Sequence, residues 1–209
     1  MEVFINDIAA FLQHMLERAD WRSNLHFQTA TTVDTLDYSG SGLNEGSKVV
    51  IAAAGPPRRT LAGEVPAGLE LPAGFGPVAL CRPGILAIQG PPSGQQRGES
   101  DAGIEEFCRD YAARDQFDGV PLIIICDDAP FTAASLDNFL WVTFTRSNPA
   151  TDIYGICPET RGRHWGCRGP LVIDARIKPF HAPPLVDDPA VERKLDALAA
   201  PGKPLHGII

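Results

Sequence analysis

The sequence predicts an α/β fold, doubly wound around a mostly parallel or mixed sheet with helices on both faces. From Ile85 onward, apolar runs typical of strands alternate with segments of helical periodicity, an order that gives parallel strands joined by helices. The central strand is predicted at Leu122–Cys126, because an unbroken, isoleucine-rich run is typical of a strand covered on both faces. Further strands are predicted at Ile85–Gln89 and Leu171–Asp174.

Four segments have apolar side chains at the three- and four-residue spacing of an amphipathic helix. The first follows a cap at Asn6 or Asp7, the third begins after Thr132 and ends near Arg146, and the fourth begins at Pro189. The apolar positions are Phe4, Ile8, Phe11, Leu12, Met15 and Leu16 in the first; Ile104, Phe107, Cys108, Tyr111 and Ala112 in the second; Leu136, Phe139, Leu140 and Phe144, with Trp141 beside them, in the third; and Val191, Leu195 and Leu198 in the fourth.

The segments between these elements are divided into strands and loops. Residues 25–38 and 49–54 are predicted to form strands, the second of them buried, and residues 152–156 are predicted to form the strand after the third helix. Residues 55–83 and 158–169 lack periodicity and are predicted to be loops. A stretch as long as the first is uncommon in a compact domain unless it covers a site or a partner surface.

The length and composition favour one domain with a real core. The chain has 209 residues, 44% of them hydrophobic, which is enough to bury a core as a single α/β domain over residues 1–209. Within it we expect an N-terminal helix, strands and long loop over residues 1–83, an alternating α/β core over residues 84–200, and a C-terminal arm over residues 201–209.

Charge and cysteine content exclude several classes of protein. A net charge of −8 argues against a nucleic-acid partner, which would need a concentrated basic face. The sequence contains no run of 18 apolar residues and no basic stretch followed by an apolar signal segment, so we expect neither a membrane span nor secretion, and we predict a cytoplasmic location. The five cysteines are odd in number and irregularly spaced, which indicates reduced structural thiols rather than a disulfide framework.

Two groups of residues could carry metal or acid/base chemistry. Asp127 and Asp128 follow the central strand, where ligands of open α/β sheets bind; the alternative, which we favour, is that one carboxylate caps the following helix while the other faces water. Cys157, His164 and Cys167 could supply three zinc ligands with His181 as a distant fourth. Their spacing does not match a paired-cysteine knuckle, so we predict no metal site and an ordered turn with a buried thiol.

Two pairs of arginines on loops are the candidates for contact with an anionic ligand or cofactor. Arg58 and Arg59 follow a predicted strand, and Arg161 and Arg163 lie with Arg168 in a second loop. A guanidinium group can bind a carboxylate or a phosphate through two parallel hydrogen bonds. The alternative is that these arginines are solvated or pair with acidic residues of their own surface. No nucleophile set is recognisable in the sequence, so the catalytic residues are unknown.

A strand ending in consecutive aspartates, a helix carrying a tryptophan and a Thr-Arg-x-x-Pro-Ala-x-Asp segment together resemble the carboxy-terminal domain of UbiD-type decarboxylases, the 3-octaprenyl-4-hydroxybenzoate carboxy-lyases. An Ile-Asp-Ala segment followed by a lysine adds to the resemblance, which covers roughly the latter half of the chain. The matching residues are 123–128, 138–141, Thr145, Arg146, Pro149, Ala150, Asp152, 173–175 and Lys178.

The resemblance implies a role in the non-oxidative decarboxylation of aromatic or α,β-unsaturated acids with prenylated FMN, a divalent metal and a monovalent cation. In the family these sites and a Glu-Arg-Glu group belong to a larger preceding domain. Only about 120 residues precede the resembled strand here, and no segment matches that acidic motif. We therefore expect this chain to lack the flavin domain, and we transfer no catalytic residue from the family.

Two hypotheses follow from the resemblance. In the first, the chain is a subunit or split partner of an aromatic-acid carboxy-lyase, and a larger chain supplies the prenylated FMN and the site for a small aromatic carboxylate. Long loops and an apolar C-terminus would then serve as contact surfaces, within a homo-oligomer or with the larger subunit. In the second, the chain is a stand-alone α/β protein that binds a small anionic or flavin-like ligand, or a diverged lyase, as the loop arginines suggest. Whether the chain is itself an enzyme stays open.

Overall fold

The computed structural model describes residues 6–37, 39–40, 42–111, 116–183 and 188–208. The predicted residues Phe4, Tyr38, Ala112 and Ile209 lie outside these ranges. The helices are α1 (Ile8–Arg18), α2 (Ala102–Asp110), α3 (Ala129–Ala133), α4 (Leu136–Thr145), α5 (Pro149–Asp152) and α6 (Pro189–Ala199). The strands are β1 (Leu25–Thr32), β2 (Glu45–Ile51), β3 (Val78–Arg82), β4 (Ile85–Gln89), β5 (Leu122–Cys126), β6 (Ile153–Gly155), β7 (Pro158–Arg161), β8 (His164–Cys167) and β9 (Leu171–Asp174).

The predicted α/β class is confirmed, with a five-stranded mixed sheet in the order β3-β4-β5-β9-β6. Strands β4, β5 and β9 run parallel, in a register that aligns Leu122 of β5 with Ile85 on one side and Leu171 on the other. The outer strands β3 and β6 are antiparallel to their neighbours. The parallel strands end at the same edge of the sheet, so the loops that follow them converge there.

The sheet separates two apolar layers, because successive side chains of a strand point to opposite faces. In β5, Leu122, Ile124 and Cys126 pack with α1, α3, α4 and the β1–β2 hairpin, while Ile123 and Ile125 pack with α2 on the other face. All five of these side chains are buried. Helices therefore cover both faces, as the sequence predicts.

The helix starts are set by side-chain caps. The carboxylate of Asp7 accepts from the backbone N–H of Ala10, which confirms one of the two predicted caps of α1. The hydroxyl of Ser135 accepts from the backbone N–H of Asn138 at the start of α4, and Pro189 occupies the first turn of α6.

The two segments predicted as loops each contain strands, so these predictions were wrong. Residues 55–83 include β3, which pairs with β4 through a turn where Gly84 has a φ of 77°. Residues 158–169 form the β7–β8 hairpin, closed at Gly162 with a φ of 65°. The strands of this hairpin are short and partly polar, and β3 lies among prolines and glycines, so neither segment shows a clear period of two.

The strand predicted at 49–54 is displaced and is not buried as a whole. Strand β2 runs over Glu45–Ile51 and pairs only with β1 in a separate two-stranded sheet, which leaves Val50 52% exposed. The strand predicted at 152–156 shortens to β6, because α5 occupies the residues up to Asp152. It joins the sheet edge antiparallel to β9.

The helix predicted to begin after Thr132 begins later, at Leu136, and a separate short helix that was not predicted precedes it. Helix α3 begins directly after Asp128, and α4 follows it after Ser135. Helix α4 buries Phe139, but Trp141 and Phe144 are 60% and 58% exposed, so the predicted apolar stripe is only partly in the core.

Helix α6 forms as predicted but buries none of its residues. Its apolar positions Val191, Leu195 and Leu198 are all exposed. Among the residues that the structure describes, no helix combines the length and the apolar character needed to cross a bilayer.

Candidate functional site

A cluster of charged side chains lies at the edge where the parallel strands end. Asp127 follows β5, Asp174 ends β9, and Arg176 and Lys178 come two and four residues later. Helix α5 brings Asp152 to the same place. The remaining members are Gln95, Asp101 and Arg146, and we call the whole set the carboxyl-edge cluster.

The centre of the carboxyl-edge cluster is the guanidinium group of Arg176, whose side chain is 2% exposed. It makes two parallel hydrogen bonds of 2.8 Å to Asp174, from Nε to Oδ1 and from Nη2 to Oδ2. Nη2 also donates to Oδ2 of Asp101 at 2.8 Å, and Nη1 donates to the carbonyl of Pro91 at 2.8 Å. One side chain thus connects β9, the loop after β4 and the start of α2.

The second buried cation is Lys178. Its Nζ donates to the carbonyls of Arg146 and Asp174 at 2.8 and 2.7 Å and lies 3.2 Å from the carboxylate of Asp152. That carboxylate also accepts from the backbone N–H of Asn148 at 2.6 Å and from Nε2 of Gln95 at 2.8 Å. A buried charge without a partner strongly destabilises the folded protein. These contacts give both Lys178 and Asp152 a partner.

The electrostatics of the cluster favour its charged form. Burial opposes ionisation of Asp101 and is the largest single effect, but the charge of Arg176 and the hydrogen bonds from Arg176, Gly103 and Ile104 together outweigh it and lower the pKa of Asp101 below its usual value. Burial likewise opposes the charge on Arg176, yet its hydrogen bonds and attraction to Asp174 and Asp101 raise the pKa of Arg176. Beside them, burial and the charge of Lys178 lower the pKa of His181.

The two consecutive aspartates have different roles. Oδ1 of Asp128 accepts from the backbone N–H of Phe131 at 2.8 Å and caps α3, as the favoured interpretation predicts. Asp127 does not simply face water, because Oδ2 accepts from Arg146 at 3.1 Å and from the backbone N–H of Ile177 at 2.9 Å. Both carboxylates are therefore engaged in holding loops at this edge.

The residues considered as zinc ligands are spread over different parts of the fold. Cys167 lies in β8, where burial raises the pKa of its thiol, whereas His181 accepts from the backbone N–H of Lys178 at the carboxyl edge. Within the described ranges, no group of three or more His, Cys, Asp or Glu side chains could hold a metal ion.

The four predicted ligand-contacting arginines do not converge on one site. Arg58 pairs with Asp20 at 2.9 Å, and Arg161 pairs with Glu159 at 3.0 Å. Arg163 is exposed on the turn of the β7–β8 hairpin.

The fourth arginine, Arg59, lies in a cleft at the opposite, amino-terminal edge of β5 and β9. Arg168, which comes from the second basic loop, lines the same cleft. The cleft has a volume of about 530 Å³, and we call it the amino-edge cleft. Its other lining residues include Trp21, Phe117, Asp118, Gly119, Pro121 and Pro170.

Sequence reasoning missed most of the contacts at both edges. The resemblance pointed to Asp152, Asp174 and Lys178, but Arg176 and Gln95 were not predicted to join them. A usable signal was the presence of charged residues directly after a fully buried strand, since such charges must find partners inside the protein.

The comparisons with known proteins agree with the resemblance. The sequence profile of the family described as "3-octaprenyl-4-hydroxybenzoate carboxy-lyase C-terminal domain" matches residues 2–53. A protein of Chlamydia pneumoniae that is named as a 4-hydroxybenzoate decarboxylase subunit is 30% identical over 200 residues, which cover 93% of this chain and 31% of that protein. The resemblance to the UbiD-type decarboxylases is thereby confirmed.

The match to the UbiD-type profile falls on α1, β1 and β2, whereas the motifs recognised in the sequence lie at 123–178. An uncharacterized protein of Chlamydia trachomatis serovar D is also 30% identical, over 191 residues, which are 91% of this chain and 31% of that protein. Both halves of the chain thus have counterparts in these relatives, and the chain spans about a third of their length.

A solved structure, the vanillic acid decarboxylase of Sedimentibacter hydroxybenzoicus in open form, is similar over 55% of this chain and 26% of that chain. The identity is 18% and the TM-score 0.29.

Proposed function

We propose that this chain is a UbiD-type carboxy-terminal domain that works as a subunit or split partner of a non-oxidative aromatic-acid decarboxylase, together with a larger flavin-carrying polypeptide. The observation that carries the proposal is the similarity along 93% of the chain to a relative that is named as one subunit of a 4-hydroxybenzoate decarboxylase. The substrate class would be small aromatic carboxylates, as that name indicates.

An exposed aromatic surface on α3 and α4 supports a role in association. Phe131, Trp141 and Phe144 are all exposed, and they come from two helices that pack against each other. Exposed apolar patches mark contact surfaces, and tryptophan and phenylalanine are enriched in the centres of interfaces. We call these three residues the α3–α4 aromatic surface and propose that the larger polypeptide covers it.

The described residues do not fit the divalent metal that the family resemblance implies. The carboxylates at the carboxyl edge are already paired, Asp174 and Asp101 with Arg176 and Asp152 with Lys178. No three of the described acidic, histidine or cysteine side chains form a metal-binding group. In this proposal the larger polypeptide holds both the metal and the prenylated FMN.

Within the proposed assembly, this chain contributes shape and rigidity. The carboxyl-edge cluster fixes the loops after β4, β5 and β9 relative to one another by charge-assisted hydrogen bonds. Loops fixed in this way present a defined surface, which lowers the entropy lost when a partner binds.

The test is anaerobic purification of the tagged chain from its own cells, followed by native mass spectrometry and a flavin absorbance scan. We expect a larger polypeptide that carries a modified flavin and decarboxylates 4-hydroxybenzoate. The double variant Trp141→Ser with Phe144→Ser should lose this polypeptide. Its matched control is Leu36→Ser with Leu43→Ser, which changes two exposed apolar residues elsewhere and should retain it. Flavin bound by this chain alone, or equal loss in both variants, would contradict the proposal.

A second candidate function is a stand-alone α/β protein that binds a small anionic or flavin-like ligand, such as a diverged lyase. The amino-edge cleft favours it, because Arg59 and Arg168 both line that cleft. Flavin absorbance of the chain purified without any partner distinguishes this candidate from the first.

A further inference from the structure

The amino-edge cleft has rigid walls. It lies where Pro121 and Pro170 lead into β5 and β9, and it is bounded by the buried side chains of Trp21 and Phe117. The indole Nε1 of Trp21 donates to the carbonyl of Pro121 at 2.8 Å, which fixes one wall to the sheet. Its volume of about 530 Å³ is within the usual range for pockets that hold small molecules.

The inner cation of the cleft is Arg59. Its Nη1 donates to the carbonyl of Leu16 at 2.5 Å, which orients the guanidinium group. Across the described part of the chain, none of the ion pairs includes Arg59. Burial and the charge of Arg58 lower the pKa of Arg59, against a smaller opposing effect of Asp20, whose carboxylate pairs with Arg58 and Arg22 instead. By contrast, the buried Arg176 is matched by two aspartates.

The outer cation is Arg168. Its backbone N–H donates to the carbonyl of Cys157 at 3.1 Å, which anchors the main chain, but its side chain is 66% exposed. The nearest carboxylate, Glu159, lies 3.9 Å from its Nε and binds Arg161 more closely, at 3.0 Å. The guanidinium group of Arg168 is therefore held only weakly and can turn to a ligand in the cleft.

We propose that the amino-edge cleft binds a small organic anion whose carboxylate or phosphate group is contacted by Arg59 and Arg168. A half-buried guanidinium without a carboxylate partner gains most from an anion, and its planar fork fits either group. Asp118 adds an acceptor on the lining for a hydroxyl or amino group of the same ligand. The proposal does not depend on the decarboxylase assembly.

The test is a titration of the ¹⁵N-labelled chain with benzoate and with phenyl phosphate, and with benzamide as the neutral control. Saturable shifts should appear at the backbone amides of Gly119, Arg168 and Gly169 with at least one of the two anions and not with benzamide. Arg168→Gln should weaken binding about tenfold, the size expected for a lost charge-assisted hydrogen bond. Arg163→Gln is the matched control, because it removes the same charge five residues away, outside the cleft lining, and should leave binding unchanged.

A second matched pair is Arg59→Gln against Arg58→Gln, and only the first should weaken binding. If Arg59→Gln does not fold, the comparison of Arg168→Gln with Arg163→Gln still tests the proposal. The proposal is overturned if neither anion gives saturable shifts, if the shifts map elsewhere, or if Arg163→Gln weakens binding as much as Arg168→Gln. Binding of only one anion identifies the group that the cleft prefers. Because no partner takes part, failure of the decarboxylase proposal would not alter this result.

Discussion

The ammonium group of Lys178 lies 3.2 Å from the carboxylate of Asp152, and both side chains are almost completely buried. The same ammonium group donates to the carbonyl that ends β9 and to the carbonyl of Arg146, so its three protons have three acceptors. This pair joins the segment after β9 to α5 and to the end of α4. It is therefore a junction of the fold at the edge where the parallel strands end.

Replacing Lys178 by methionine should destabilise the protein by about 3–5 kcal/mol, because Asp152 would remain as a buried charge without its partner. Urea denaturation followed by circular dichroism gives the free energy of unfolding. Adding Asp152→Asn to the same chain should recover part of the loss, since no lone charge is then buried. As a control, Arg161→Gln removes an exposed arginine from a partly buried glutamate, Glu159, that still has Arg168 nearby, and should change the free energy little. If Arg161→Gln lowered the free energy of unfolding as much as Lys178→Met, the Lys178–Asp152 pair would not be a junction of the fold.

The free energy of unfolding should fall as the pH decreases from 7 to 5, in part because of His181. Burial and the positive charges of Lys178, Arg146 and Arg97 lower its pKa, against an opposing effect of Asp152. The unfolded chain has an ordinary histidine pKa of about 6.5 and so binds the proton first as the pH falls. Stability is therefore lost below the unfolded pKa. His181→Gln should flatten this pH dependence, whereas His206→Gln, on the C-terminal turns, should keep it. A wild-type slope in His181→Gln would contradict the prediction.

The sequence was sufficient to predict elements whose signals are local. The apolar runs of β4, β5 and β9 and the cap at Asp7 are each visible within a few residues, and all of them form. The β7–β8 hairpin escaped prediction because short, partly polar strands outside a large sheet show no clear alternation.

Contacts between residues distant in sequence could not be predicted in the same way. Arg176 reaches Asp101 across 75 residues, and Gln95 reaches Asp152 across 57. Nothing local in the chain indicates these pairings, because they depend on the order of strands in the sheet. The same is true of Arg59 and Arg168, which come from two separate basic segments and line one cleft.

Gly155→Ala should destabilise the protein by about 1–3 kcal/mol through overpacking. An added Cβ would overlap the Cβ of Cys167, inside the contact between β6 and β8. The matched control is Gly63→Ala, where a Cβ would meet no atom within 4 Å, so the change should be neutral or slightly stabilising. Thermal unfolding of the two variants beside the parent chain measures the difference. Equal melting temperatures would show that β6 and β8 can move apart without cost.

Four buried thiols should react with Ellman's reagent at pH 8 only when the protein opens. Burial raises the pKa of Cys81 and Cys108 to about 12 and that of Cys126 to about 11, and burial also raises the pKa of Cys167. The thiolate is the reactive form, so both access and ionisation oppose the reaction in the folded state. The thiol released from the reagent absorbs at roughly 412 nm, and the time course of this absorbance should show the four groups reacting fast in denaturant and slowly without it.

The variant Lys178→Met connects the thiol measurement to the junction at the carboxyl edge. Cys126 lies in β5 next to Asp127, so weakening this edge should increase transient opening of the strand and speed the reaction of its thiol. Arg161→Gln, which changes an exposed arginine in β7, should leave the rate as in the parent chain. If Lys178→Met left the rate of Cys126 unchanged while lowering the free energy of unfolding, the thiols would be reporting only on local openings that do not involve the Lys178–Asp152 pair.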